Sequence, residues 1–284
     1  MSIQKIARLA GVSVATVSRV LNNSDTVKAK NRERVLQAIK ESNYQPNLLA
    51  RQLRTARSNM ILVMVSNIAN PFCAEVVKGI EEEAEKNGYR ILLCNSGSDT
   101  ARSKSALKLL SGKIVDGIIT MDAFSKLPEL TTLIGDAPWV QCAEYADKGA
   151  VSCVGINDVD AAQSVISHLV EKGYQRIALI NHDLSYKYAR LRERGYKAAL
   201  HALSLEYQAV EYASELSSSA GIAAMKTFLA AEVKPDAVFA VSDTLAAGAM
   251  RAIFDAGLQI PQDIAVVGFD GTELAEMVSP QLST

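Results

Sequence analysis

The chain has 284 residues, 49% of them hydrophobic and 21% charged, with a formal net charge of −1. That composition suits folded domains with sizeable cores and excludes a disordered or fibrous chain, and the length asks for two or three compact units. No apolar run approaches the roughly 18 residues of a membrane span, and the opening MSIQKIARLAG is too polar for a signal peptide, so the chain is expected to stay in the cytoplasm without a membrane partner.

The spacing predicts a short helix over residues 3–10, which Gly11 breaks. Ser13 is placed to cap a second helix over 14–21, its hydroxyl accepting from a backbone N–H two or three residues on. That helix puts Val17, Val20 and Leu21 on one face and Val14, Ala15, Ser18, Arg19 and Asn22 on the other. Two short helices joined by a tight glycine turn read as a helix-turn-helix, whose second helix lies in the DNA major groove with its first residues against base edges. A third helix follows over 28–42, with Val35, Leu36 and Ile39 to pack and Arg32, Arg34 and Lys40 left for solvent or phosphate. Tyr44-Gln45-Pro46 ends it, because proline disfavours helix at the residue before it. Residues 47–54 are helix-competent but too short to be stable alone, since nucleation costs more than so few bonds return.

Charge divides the chain. Residues 1–58 hold 11 Lys and Arg against 3 Asp and Glu, a net of +8, while the remainder holds 19 against 28, a net of −9. A basic segment on an acidic body is the electrostatic footprint of a nucleic-acid-binding head; the plainer alternative is a solvated charged face.

From residue 60 the pattern alternates. Apolar strands are expected at 60–66, 89–95, 116–121, 139–143 and 151–156, with helices at 71–87 and 100–111 between the first three. A second series runs helix 159–172, strand 176–181, helix 188–203, strand 207–212, helix 218–231, strand 236–241, helix 244–256, strand 263–269. Continuous apolar strands alternating with helices imply parallel sheets covered on both faces. Two series imply two doubly wound α/β subdomains with a cleft between them, the first crossover falling near 156–158. Ligands in such sheets sit at the carboxyl ends of the strands.

The remaining chemistry is sparse. Cys73, Cys94, Cys142 and Cys153 form no CxxC pair and read as small core side chains in a reducing compartment. His168, His182 and His201 have no metal-ligand spacing. There is no GxSxG, Walker A, GxGxxG or HExxH pattern. No cofactor or metal is expected, and an enzyme reading would rest on fold class alone.

The run IQKIARLAGVSVATVSRVLNNS, the basic helix after it and YQPNLLARQLR resemble the N-terminus of LacI/GalR-family transcription regulators. The body resembles the family's effector domain, shared with periplasmic sugar-binding proteins, through NPF (70–72), GY (88–89), VDGII (115–119), GYQRIALI (173–180), RLRERGYKAAL (190–200), SDTLAAGAMRA (242–252) and VVGFDGTEL (266–274). The resemblance implies a headpiece over 1–46, a hinge helix and linker over 47–59, and effector subdomains over 60–156 and 157–284. It implies a repressor of operator DNA, a homodimer, controlled by a small-molecule effector of the sugar or nucleoside class. A sugar-binding module without DNA contact is the rival class, and only the headpiece separates the two.

By the same resemblance, DNA contacts fall on Ser13, Val14, Ala15, Thr16, Ser18, Arg19, Asn22, Asn47, Ala50 and Leu53. Val14 and Ala15 stand as the specificity pair, Arg19 reads a base, and Leu53 is the wedge that a hinge helix places in the minor groove; read without the resemblance, Leu53 simply packs on the body. Effector contacts fall on Pro71, Phe72, Asp158, Arg192, Ser242 and Asp270. Asp158 and Asp243 read also as helix caps, and Arg192 as a surface partner of Glu193 or Asp183. Where many members carry an aromatic stacking residue this chain has Leu216-Ser217, with Tyr212 four residues early, so a sugar-ring platform is not assured. His182, at a strand end, reads as a surface histidine in preference to a ligand contact. The final residues 279–284 match the family's segment leaving the second subdomain, after which members continue. The chain is therefore expected to stop before the return segments, leaving the first subdomain without its closing strand and helix, with weaker effector binding and dimerisation.

Overall fold

The computed structural model describes residues 2–21, 26–44, 57–97, 99–122, 128–145 and 151–284. They fall into two compact units, residues 1–58 and 59–284.

The first unit is helical: α1 (Ile3–Ala10), α2 (Val14–Leu21) and α3 (Ala29–Glu41). The Ser2 side chain accepts from the Lys5 N–H to start α1, and Gly11 ends it at φ 63°, a left-handed conformation that costs glycine nothing. Ser13 Oγ then accepts from the Thr16 N–H at 3.1 Å. The apolar faces meet in one core of Ile6, Ala7, Ala10, Val17, Val20, Val35, Ala38 and Tyr44. Leu36 differs from expectation: it is exposed, and Val35 with Ala38 carries the buried face of α3.

The second unit holds two parallel sheets. One contains β1 (Met60–Val65), β2 (Arg90–Asn95), β3 (Gly117–Thr120), β4 (Trp139–Cys142) and β5 (Ser152–Val154), in the order β2-β1-β3-β4-β5. Its helices are α4 (Pro71–Lys86), α5 (Thr100–Ser111) and α6 (Pro128–Ile134). Strand β1 shows why both faces are covered: Leu62 and Met64 join the core beneath α5, while Val63 and Val65 join Cys73 and Val77 of α4. The three residues of β5, at the sheet's edge, are exposed.

The other sheet contains β6 (Ile177–His182), β7 (Ala209–Ala213), β8 (Ala237–Ala240) and β9 (Ala265–Val267), in the order β7-β6-β8-β9. Helices α7 (Asp158–Glu171), α8 (Lys187–Ala202), α9 (Ser218–Ala230) and α10 (Asp243–Asp255) pack on it, and α11 (Leu274–Met277) follows β9. Every residue of β6 and β8 is buried. Tyr196 lies wholly inside, its hydroxyl donating to the Ile177 carbonyl at 2.7 Å. Leu282 is buried in this same core, and the Ser283 carbonyl accepts from the Gly268 N–H at 2.8 Å.

Most helices and strands lie within two residues of the expected bounds. Helices α6 and α11 were not expected: seven and four residues are too short for an apolar period to stand out.

Candidate functional site

In both sheets the strand order reverses beside a central strand, between β1 and β3 and between β6 and β8. Crevices at such switch points, outside the carboxyl ends of the strands, are where open α/β sheets bind ligands. The chain follows this rule: a cavity of about 480 Å³ is lined by Ser66 and Asn67 after β1, Met121 after β3, His182 at the end of β6 and Val241 after β8. Phe72 and Cys73 reach it from the first turn of α4, Tyr188 and Arg192 from α8, and Asp270 from the loop after β9.

Arg192 organises the floor. Its Nε donates to Asp158 at 2.8 Å and its Nη1 to the Val241 carbonyl at 2.7 Å. Nη1 also lies 3.9 Å from Asp270, and the guanidinium sits 3.5 Å over the Phe269 ring. A planar, delocalised cation is the group that can satisfy a carboxylate, a carbonyl and a ring face together. Asp270 holds a positive φ of 109°, a conformation uncommon for a non-glycine residue. Burial pushes its carboxyl up to about 7, against the opposing pull of Arg192 and with help from Asp243 and Asp158. The folded chain thus holds this proton more tightly than the unfolded chain. Asp270 therefore contributes its full stabilisation below the ordinary carboxylate range, and that contribution is lost as pH rises through about 7.

Glu144, after β4, is buried and spans the cleft. Its two carboxylate oxygens accept from the Lys187 N–H at 2.8 and 3.0 Å. Tyr186 gives the start of α8 no side-chain cap, so a carboxylate from the other sheet's subdomain satisfies the helix's free donors. Beside it, the Lys187 ammonium lies over the Tyr145 ring at 3.8 Å.

The expected contacts divide. Phe72, Arg192 and Asp270 line the cavity; Pro71, Asp158 and Ser242 do not. Pro71 opens α4, and Asp158 is buried beneath Arg192. Ser242 is the N-cap of α10, accepting from the Leu245 N–H at 3.2 Å. The cap readings each fall one residue away: Asn157, not Asp158, caps α7. Asp243 instead accepts from the Thr272 N–H at 2.7 Å and from its hydroxyl at 2.9 Å. Arg192 pairs with neither Glu193 nor Asp183. Glu193 accepts instead from Asn181, Lys197 and Tyr212.

The surface reading of His182 is corrected. It is 6% exposed and lines the cavity, stacked on Tyr186 at 4.5 Å between centroids. Tyr186, Tyr188 and Glu144 were not foreseen as cavity residues. Tyr186 and Tyr188 had a signal, aromatic residues just after a strand's carboxyl end; Glu144 had none. Leu216 reaches the cavity, whereas Tyr212 is half exposed and donates to Glu193.

In the helical unit, Ser13, Val14, Ala15 and Arg19 are exposed at the start and along the outer face of α2, with Thr16 and Ser18 half-buried. Asn22, Asn47, Ala50 and Leu53 lie outside the described residues. Among the described residues no helix is long and apolar enough to cross a membrane.

Residues 2–47 match the family described as bacterial regulatory proteins, lacI family, and residues 166–284 match the periplasmic binding protein-like domain. The chain is 35% identical to the ribose operon repressor of Escherichia coli (strain K12) over 286 aligned residues, covering all of this chain and 87% of that protein. It belongs to the LacI family. Membership makes this LacI-family chain a DNA-binding transcription regulator, and its relatives are regulators rather than enzymes. The lac repressor dimer bound to operator and the anti-inducer ONPF has a similar structure, with a TM-score of 0.89 at 30% identity over 99% of this chain and 86% of that one. An uncharacterized protein from Actinobacillus succinogenes is 59% identical, with a TM-score of 0.77 over 80% of this chain and 85% of that one.

Proposed function

We propose that this chain is a repressor whose hold on operator DNA is set by a sugar or nucleoside bound in the cavity between its two sheets. The observation that carries this reading is the pairing of Arg192 with Asp270 at the cavity wall. A planar donor beside a carboxylate acceptor is the complement of a ring bearing neighbouring hydroxyls. Phe72 and Tyr186 add apolar ring faces. Asp158 and Ser242 act behind this wall, the first by holding Arg192 and the second by starting α10.

The exposed start of α2 is the DNA-reading edge. Val14 and Ala15 offer no side-chain hydrogen bonds and read groove shape and thymine methyl groups, while Arg19 donates to a guanine. Thr16 and Ser18 flank them. Asn22, Asn47, Ala50 and Leu53 join this set on the sequence pattern alone. Two copies of the chain would read two half-sites of a near-palindrome, since operator symmetry mirrors a dimer's two-fold axis. The effector changes operator affinity only as far as it binds the two states unequally.

The test begins with an operator selected from random DNA. A sugar and nucleoside library is screened by thermal shift, and each hit is assayed for operator release. Asp270→Ala is expected to keep operator binding and lose release; normal release by that variant would sink the cavity assignment. Separately, Arg19→Ala is expected to relax preference at one base pair per half-site, worth about 1–3 kcal/mol. Uniform weakening across all sequences, measured by competition gel shifts, would mean that Arg19 touches only phosphate.

A further inference from the structure

Tyr188 and His182 meet inside the cavity. The tyrosine hydroxyl lies 2.5 Å from His182 Nδ1, and the two ring planes are nearly parallel. Burial pushes the tyrosine hydroxyl well above its ordinary range and lowers the histidine, disfavouring its charged form. A neutral imidazole has one donor nitrogen and one acceptor nitrogen. A hydrogen bond to the Ser214 backbone favours a proton on the ring; because Nδ1 faces the Tyr188 hydroxyl, that proton is assigned to Nε2. Nδ1 is then the acceptor, and the Tyr188 O–H donates to it. Only lone pairs remain on the tyrosine oxygen to face a ligand.

We propose that the Tyr188–His182 pair is the specificity element of this cavity: by fixing the Tyr188 hydroxyl as an acceptor toward the ligand, it selects an uncharged polyhydroxyl compound over its phosphorylated counterpart. This rests on the reading of the cavity as the effector site. The group opposite Tyr188 must donate a hydrogen bond. A sugar hydroxyl does so, and a phosphate dianion cannot. The charge around the cavity has the same preference. Among the described residues, the one cation lining the cavity, Arg192, already meets Asp158, Asp270 and the Val241 carbonyl. Glu144 and Glu215 add carboxylates to the lining. Among the described lining residues, an incoming phosphate would face these acids with no uncommitted cation built to receive it.

The full chain is titrated by calorimetry with D-ribose, D-xylose, D-fructose and D-glucose, each beside its terminal phosphate ester. At least one free sugar is expected to bind, with its ester on the order of 100-fold weaker. Tyr188→Phe keeps the ring and is expected to weaken the free sugar on the order of tenfold, the usual effect of one lost hydrogen bond. His182→Leu frees the tyrosine proton to turn toward the ligand, so discrimination against the ester is expected to fall on the order of tenfold. His182→Gln, whose amide oxygen can accept that proton, is expected to restore it. Equal binding of sugar and ester by the wild-type chain would overturn the proposal. So would unchanged affinities in Tyr188→Phe, or discrimination that His182→Leu leaves intact. Should operator binding persist while no member of either series binds, the sugar reading of the effector falls and takes this proposal with it; a sugar that binds without regard to Tyr188 overturns the proposal alone.

Discussion

Arg192→Ala is expected to cost about 3–5 kcal/mol of stability in the second unit, the usual effect of removing one partner from a buried ion pair. Asp158 would be left almost wholly buried without its cation, and the Val241 carbonyl would lose its donor. Asp270 would lose the one charge that opposes its burial. Removing both partners, with Arg192→Met and Asp158→Leu together, is expected to cost less than the single change, because no orphaned charge remains. Urea unfolding without ligand measures both. An Arg192→Ala midpoint equal to the wild-type value would mean that water reaches Asp158 freely. The helical unit has its own core, so non-specific DNA binding should survive the change.

Gly248→Ala is expected to have the next largest effect, at or above the top of the ~1–3 kcal/mol range for overpacking. A Cβ at Gly248 would lie 2.2 Å from the Ser218 carbonyl oxygen and 3.0 Å from Gly221 Cα, and one at Gly221 would lie 2.2 Å from the Leu245 carbonyl oxygen. Helices α9 and α10 therefore touch backbone to backbone at these glycines. No side chain can swing aside, so the helices must separate and loosen the packing of Met225, Phe228 and Ala249 in the shared core. Alanine's gain of about 1 kcal/mol in helix propensity does not offset this. Gly79 in α4 is the control, because a Cβ there meets nothing within 4 Å. Gly79→Ala is expected to move the urea midpoint upward by the propensity gain alone. If both glycines respond alike, propensity rather than helix contact sets the effect.

These particulars separate what a sequence carries from what folding adds. Periodicity located the strands and helices because each buries a face whose spacing is fixed by local geometry. Phe72, Arg192 and Asp270 were legible through the family resemblance, because each lies in a motif that the sequence shares with it: NPF, RLRERGYKAAL and VVGFDGTEL. Asp158, expected as an effector contact, and Asp243 read also as caps, because a carboxylate near a helix start is locally ambiguous. Only the approach of Arg192 and Thr272, which are 34 and 29 residues away, decides their partners. Glu144 was invisible because its acceptor role depends on how one subdomain meets the other. His182 looked like a surface residue because nothing local reveals that Tyr186 and Tyr188 fold back over it.

The carboxylate of Glu144 also fixes what the molecule loses when it opens. The Lys187 N–H has its partner on the far side of the cleft, and the corresponding intrahelical acceptor does not exist for the first residues of a helix. Its proton is sheltered only while the two subdomains are together, and every separation hands it to water. Exchange of that single amide with solvent therefore reports the open population of the cleft together with fraying of the first turn of α8. A ligand that holds the subdomains together is expected to slow this exchange, and one that spreads them to quicken it. The sign of its action can thus be read from the protein in isotopic water, without DNA present.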